Sequence, residues 1–191
     1  MVSNKAGIHH VEEQQIFMLS GMSESGKSTA GRYFENRGVP RLKIKDILSL
    51  IYEKSDKTVE FDPWSWLVED QGDIFYCAFT QEALDLMREL RCNAISLESL
   101  HGIKMARGLK AALGDKLKII FIDVPFKVRV RRQMLRAHLS SELEASEMLR
   151  RRDQEKALQG TPEIQAMADY TIDNSGSIEE LYLSLERILD S

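Results

Sequence analysis

The sequence predicts an α/β fold in which helices cover both faces of a parallel sheet. Three observations lead there. The stretch Gly21 to Ser28 reads G-x-x-x-x-G-K-S, between an apolar run fit for a buried strand and a segment with helical spacing. That is the phosphate-binding P-loop in the strand–loop–helix setting the motif requires. Beyond it, short apolar runs alternate with segments of helical period, the pattern of crossover-linked parallel strands. Finally, glycine, proline and capping residues punctuate most of the boundaries. Ligands of such sheets sit at the carboxyl ends of the strands, where the P-loop also lies.

In chain order, QQIFMLS before Gly21 is the first strand. The helix after the loop carries Ala30, Tyr33 and Phe34 on one side and stops at Gly38. Val39 and Pro40 lead into RLKI, a short second strand, and ILSLIYEK beyond Asp46 reads as a helix. A polar break follows, and Pro63 opens a segment with Trp64, Trp66 and Leu67. Residues 72–90 have helical periodicity, NAISL (93–97) is a third strand, and residues 101–113 form a helix closed by Gly114. KIIFID (118–123) is the clearest strand after the first, and Pro125 stands where a first-turn proline belongs. Residues 126–160 read as one long arginine-rich helical stretch with a capping-box pattern at Ser141 and Glu144. Pro162 starts a short helix, TIDN (171–174) is the last strand, and Ser177 with Glu180 caps an amphipathic final helix.

Composition narrows the class. A chain of 191 residues with 43% hydrophobic content suits one core, so residues 15–191 are expected to form a single domain after a flexible tail at 1–14. His9 and His10 in that tail are expected to be solvated. A net charge of −4 argues against a nucleic-acid-coating surface. No apolar run reaches the ~20 residues of a membrane span, and the polar N-terminus is no signal peptide. The two cysteines, Cys77 and Cys92, lack metal-ligand spacing and fit a reduced cytoplasmic setting. Nothing in the sequence sets an oligomeric state.

The P-loop specifies the chemistry most directly. Gly21 and Gly26, with the backbone of Ser23, Glu24 and Ser25 between them, would cradle phosphate through N–H groups at a helix N-terminus. Lys27 would reach the outer phosphates, the Ser28 hydroxyl would bind Mg²⁺, and Thr29 would assist at the helix start. A switch GTPase is disfavoured. There is no N-K-x-D, and the single D-x-x-G at residues 173–176 lies too near the C-terminus.

Several other residues have two readings. Asp123 ends a loose Walker B strand and would hold Mg²⁺ through water, or it caps the next helix. Glu98, at the end of the third strand candidate, is a competing acidic group for Mg²⁺ or the acceptor, or a solvated residue leading a helix. Asp46 would orient an acceptor hydroxyl, or serve as a helix cap. Arg129, Arg132 and Arg136 share one helix face, and Arg150, Arg151 and Arg152 follow. Phosphoryl transfer needs cations on the moving charge and exclusion of water, so this belt reads as a lid rather than a solvated surface. Trp64 and Trp66 would stack on a base, or act as packing anchors.

The P-loop, RVRRQMLR, the SSELEASEMLRRRDQE helix and MADYTIDNSGSIEEL together resemble the dephospho-coenzyme A kinases and their archaeal P-loop relatives. The likeness runs from Ile16 onward and is strongest at the P-loop and at residues 168–181. It implies the nucleoside-monophosphate-kinase type of fold: three α/β/α layers, a five-stranded parallel sheet, a helical lid at about 129–160 and an acceptor-binding helical region. It also implies ATP with Mg²⁺, phosphorylation of a hydroxyl, Asn174 and Gly176 flanking the adenine, and Arg132 and Arg136 in the lid. Two positions depart from the family. An Asp-Ala-Asp after the second strand is replaced by LKIKDIL, and Glu24 stands where glycine is common.

The expected function is transfer of a γ-phosphoryl group from ATP to a small, nucleotide-like acceptor such as dephospho-coenzyme A. Lys27, Asp46, Arg132 and Arg136 are the expected catalytic residues. The alternative is an ATP-binding regulatory module or slow ATPase, in which Glu24 obstructs catalysis. Nucleic-acid binding through the arginine helix is a third reading, disfavoured by the charge.

Overall fold

The computed structural model describes residues 14–191, so the expected tail and its two histidines lie outside the described residues. In chain order the elements are β1 (Gln15–Ser20), α1 (Lys27–Asn36), β2 (Arg41–Lys43), α2 (Ile44–Glu53) and α3 (Phe61–Leu67). Next come α4 (Asp73–Glu89), β3 (Ala94–Leu100), α5 (Ile103–Leu113) and β4 (Leu117–Asp123). The chain closes with α6 (Phe126–Ala137), α7 (Glu142–Leu158), α8 (Thr161–Met167), β5 (Tyr170–Asp173) and α9 (Ile178–Leu189).

The five strands form one parallel sheet in the order β2-β3-β1-β4-β5. β1 lies at its centre because both its faces are apolar. Ile16 and Met18 enter one core with Ile95, Leu97, Ile119 and Phe121, under residues of α2, α4 and α5. Phe17 and Leu19 point the other way, to Ala30 and Phe34 of α1 and Leu181 and Leu185 of α9. Strands buried on both faces read as continuous apolar runs, which is why β1 and β4 stood out in the sequence.

Residues 126–160 differ from the single helical stretch expected. α6 ends at His138, whose backbone is left-handed (φ 52°), and α7 starts anew at Ser141, whose hydroxyl accepts the Glu144 N–H. Folding back lets Val130, Ala145 and Leu149 bury one another in a small core of their own. Pro125 is the N-cap of α6 rather than its first helical residue. α3 starts at Phe61, so Pro63 lies within its first turn rather than opening the segment. Trp64 packs against Tyr52 and Phe61, with ring centroids 5.2 and 6.1 Å away, as a packing anchor would. Among the described residues no helix is long and apolar enough to cross a membrane.

Candidate phosphate-binding site

The loop between β1 and α1 is shaped by positions where only small residues fit. Gly21 has φ 138°, and a side chain there would collide with the Ile122 carbonyl oxygen and Ser25 Oγ. Gly26, the N-cap of α1, has φ 106°, and a Cβ there would strike the Asn174 side-chain amide. Because the N-cap is glycine, no side chain caps α1, and its first turn contains no acidic residue. The N–H groups that open a helix have no intrahelical acceptor, so this terminus is left for an anion. Glu24 takes a left-handed conformation (φ 59°) that costs a non-glycine residue roughly 1 kcal/mol.

The face shared by three arginines grips three successive loop residues. Arg129 donates to the Ser23 carbonyl oxygen (3.2 Å) and the Val124 carbonyl oxygen (3.1 Å), and pairs with Asp153 at 2.6 Å. Arg132 donates to the carbonyl oxygens of Glu24 (3.4 Å), Ser25 (3.3 Å) and Asn174 (2.7 Å). Arg136 pairs with the Glu24 carboxylate at 2.7 Å. Arg129 and Arg132 therefore support the loop from outside, and of the three arginines only Arg136 lines the cavity in front of it. Arg132, expected to stabilise the moving charge, is placed with its guanidinium on backbone oxygens.

That cavity measures about 560 Å³. Ser23, Glu24, Ser25, Gly26, Lys27, Ser28 and Thr29 form one wall, and Arg32, Arg41, Ser99, His101, Arg152 and Lys156 line the rest. Lys27 Nζ donates to the carbonyl oxygens of Gly21 (2.8 Å) and Met22 (2.9 Å). Its pKa is lowered to about 7, first by burial and then by the neighbouring Lys156 ammonium. Burial also lowers Lys156. His101 is lowered to about 3, by burial and then by the two lysines, so its ring is neutral near neutral pH. Its Nδ1 is buried without a hydrogen-bond partner among the described residues. Lys156 and His101 carry no motif, and the sequence reading missed both.

The acidic candidates separate clearly. Glu98 is the fifth residue of β3, which runs on to Leu100, and is 3% exposed rather than solvated. It accepts the Ser28 hydroxyl at 3.1 Å and is clamped by the Arg41 guanidinium, whose Nη2 lies 3.3 Å from Oε2. Asp123 is exposed at the end of β4, 3.5 Å from Gln165 Nε2, and does not line the cavity. Asp46 is exposed in the first turn of α2, accepts the Lys43 N–H at 2.7 Å, and is likewise absent from the cavity wall. The structure thus gives Asp46 the capping role of its two readings.

Asn174 is buried behind the loop, where its side-chain amide donates to the Ser25 carbonyl oxygen at 2.8 Å. Gly176 lies in the exposed turn before α9, against the Glu180 carboxylate that accepts the Ser177 N–H at 2.8 Å. Of the expected residues, the structure therefore gathers residues 23–29 and Arg136 at the cavity. It places Gly21, Arg132 and Asn174 as supports of the loop, and leaves Asp46 and Gly176 outside.

Solved structures share this fold. The chain superimposes on TT1252 from Thermus thermophilus with a TM-score of 0.59 at 19% identity, over 93% of this chain and 97% of that one. It superimposes on a dephospho-CoA kinase from Campylobacter jejuni with a TM-score of 0.52 at 17% identity, over 92% and 95%. The chain therefore shares its fold with a kinase. No family model matches the chain. A relative described as a UPF0200 protein, from Saccharolobus solfataricus, is 28% identical over 178 residues, covering 92% of this chain and 93% of its own.

Proposed function

We propose that the chain is a small-molecule kinase that moves the γ-phosphoryl group of ATP to a hydroxyl or phosphate acceptor. The observation that carries this reading is the cation-lined cavity of about 560 Å³ in front of an uncapped, acid-free helix N-terminus. Phosphoryl transfer depends mainly on positioning and on cations around the moving charge, with little covalent work for the protein. Such a wall fits that need.

In this reading the loop backbone from Gly21 to Gly26, with Thr29 at the helix start, holds the phosphates. Lys27 exchanges its two carbonyl partners for phosphate oxygens. Ser28 would hold Mg²⁺, and Glu98 would orient Ser28 through its hydrogen bond and draw the cation by charge. ATP supplies the transferred group, and Mg²⁺ neutralises its oxygens. Residues 15–191 act as one domain, residues 129–160 are the lid, and Asn174 and Gly176 lie on the adenine side. The acceptor is nucleotide-like, with dephospho-coenzyme A first among the candidates because the fold likeness includes a kinase of that substrate.

A second reading, an ATP-binding module with slow or no turnover, is favoured by one observation. The Glu24 carboxylate lines the phosphate cavity and is paired with a lid arginine. ADP release from Mg-ATP, measured across dephospho-coenzyme A and the nucleoside monophosphates, separates the two. A kinase is stimulated by one acceptor and yields its phosphorylated product. Tight ATP binding with no stimulation by any of them favours the module.

A further inference from the structure

We propose that Lys156 is a second phosphate-binding lysine, seated opposite Lys27 so that the terminal phosphate of a bound nucleoside triphosphate lies between the two ammonium groups. The inference rests on the triphosphate-binding reading above and adds a residue that no motif marks.

The geometry begins with Asp153, which ties α7 to the P-loop. Its carboxylate accepts the Ser23 N–H at 3.3 Å and pairs with Arg129 at 2.6 Å. Lys156 is three residues further along α7, hence on the same face and one turn on. There it lines the same cavity as Lys27. The charge of Lys156 is near enough to lower the pKa of Lys27. Neither has a carboxylate partner at ion-pair distance among the described residues. The acids that pull on Lys156 are already engaged, Asp153 with Arg129 and Glu24 with Arg136.

Two like charges held together away from water destabilise the empty protein. Burial lowers both lysines, the Lys156 charge lowers Lys27 further, and the nearby Arg129 charge lowers Lys156 further, in keeping with that cost. A phosphate dianion between them removes the repulsion and satisfies both groups with charge-assisted hydrogen bonds. An arrangement that is unfavourable when empty and favourable when filled is a binding site, not a structural ion pair. Because Lys156 comes from the lid segment and Lys27 from the loop, the site spans both. It therefore favours a ligand long enough to reach from the loop to α7, a triphosphate rather than a diphosphate.

The test is calorimetric titration of ATP and ADP, each with Mg²⁺, into the full chain and its Lys156→Gln, Lys156→Arg and Lys27→Ala variants, with melting of each protein without ligand. Lys156→Gln is expected to weaken ATP by about tenfold or more, the loss of one charge-assisted contact, while ADP changes by less than about threefold. The ligand-free melting temperature should rise, because the repulsion is gone, and Lys156→Arg should keep ATP affinity close to that of the parent. Equal weakening of ATP and ADP, unchanged ATP affinity, or a lowered melting temperature in Lys156→Gln would each overturn the proposal. If Lys27→Ala also leaves ATP affinity intact, the P-loop reading itself fails. If Lys27→Ala loses ATP and Lys156→Gln does not, only the role of Lys156 is lost.

Discussion

The hydroxyl of Ser28 donates to Glu98 Oε2 at 3.1 Å, joining the first turn of α1 to the interior of β3. The bond brings a buried carboxylate next to the serine that P-loops use for Mg²⁺, with Arg41 on its other side. Glu98→Gln keeps the shape and one acceptor but removes the charge. The expected result is a Mg²⁺ dependence of turnover shifted upward by about tenfold, with ATP binding in the absence of metal little changed. A metal-titration curve that overlays the parent's would leave Glu98 as the structural partner of Arg41.

Glu24 combines an unfavourable backbone with a carboxylate at the cavity wall. It has φ 59° and places a carboxylate in the phosphate cavity, held by Arg136. Glu24→Gly should relieve roughly 1 kcal/mol of backbone cost, which corresponds to a melting temperature about 2–4 °C higher in a chain of this size. It should also tighten inorganic phosphate and ATP binding by removing an anion from the site. Weaker phosphate binding in this variant would mean that Glu24 helps to build the loop instead of competing with the ligand.

Arg132 and Arg136 should fail in different ways. Arg132 donates to three backbone oxygens, two on the loop and one at Asn174. Arg132→Ala is therefore expected to lower stability by about 1–3 kcal/mol and to weaken ATP together with it, since the loop loses its support. Arg136 is mostly exposed and bonded to a side chain, so Arg136→Ala should leave the melting temperature within a degree or two and act on turnover. Thermal melts beside steady-state kinetics of the two variants check this. A purely kinetic effect in Arg132→Ala would restore it to the reacting centre.

His101 gives the fold an acid dependence of definite sign. Its pKa is about 3 when folded against an ordinary 6.5, so the unfolded chain binds more protons between those values. Its contribution to stability is complete above pH 6.5 and falls as the pH drops toward 3. His101→Asn should flatten that part of the stability profile, measured by urea unfolding at pH 7, 5.5 and 4.5. An unchanged slope would show that the ring is not held neutral by its surroundings.

How much of this was legible in the sequence depends on whether the information is local. The P-loop, the apolar runs of β1 and β4, and the cap at Ser177 are local, and they appear where the sequence puts them. The break between α6 and α7 was written in the Ser141 cap, but both halves have helical periodicity, and the turn is justified only by the core that Val130, Ala145 and Leu149 make across it. Arginine spacing showed correctly which residues share a face. It did not show that Arg129 and Arg132 would spend their donors on carbonyl oxygens while Arg136 reached a side chain. Lys156 and His101 are single residues far from the loop in sequence, and only the return of α7 and the end of β3 brings them there. Asp46 had two readings of nearly equal local merit, and its bond to the Lys43 N–H is the contact expected of the capping one.

The most direct test of the central claim is ³¹P NMR of Mg-ATP incubated with the protein and dephospho-coenzyme A or a nucleoside monophosphate. The parent should convert the γ-phosphorus signal into a new resonance on the acceptor, a phosphate ester or an anhydride according to the group phosphorylated, and Lys27→Ala should not. A γ signal that turns only into inorganic phosphate, or stays unchanged with every acceptor while ATP is bound, would contradict phosphoryl transfer as the function of this cavity.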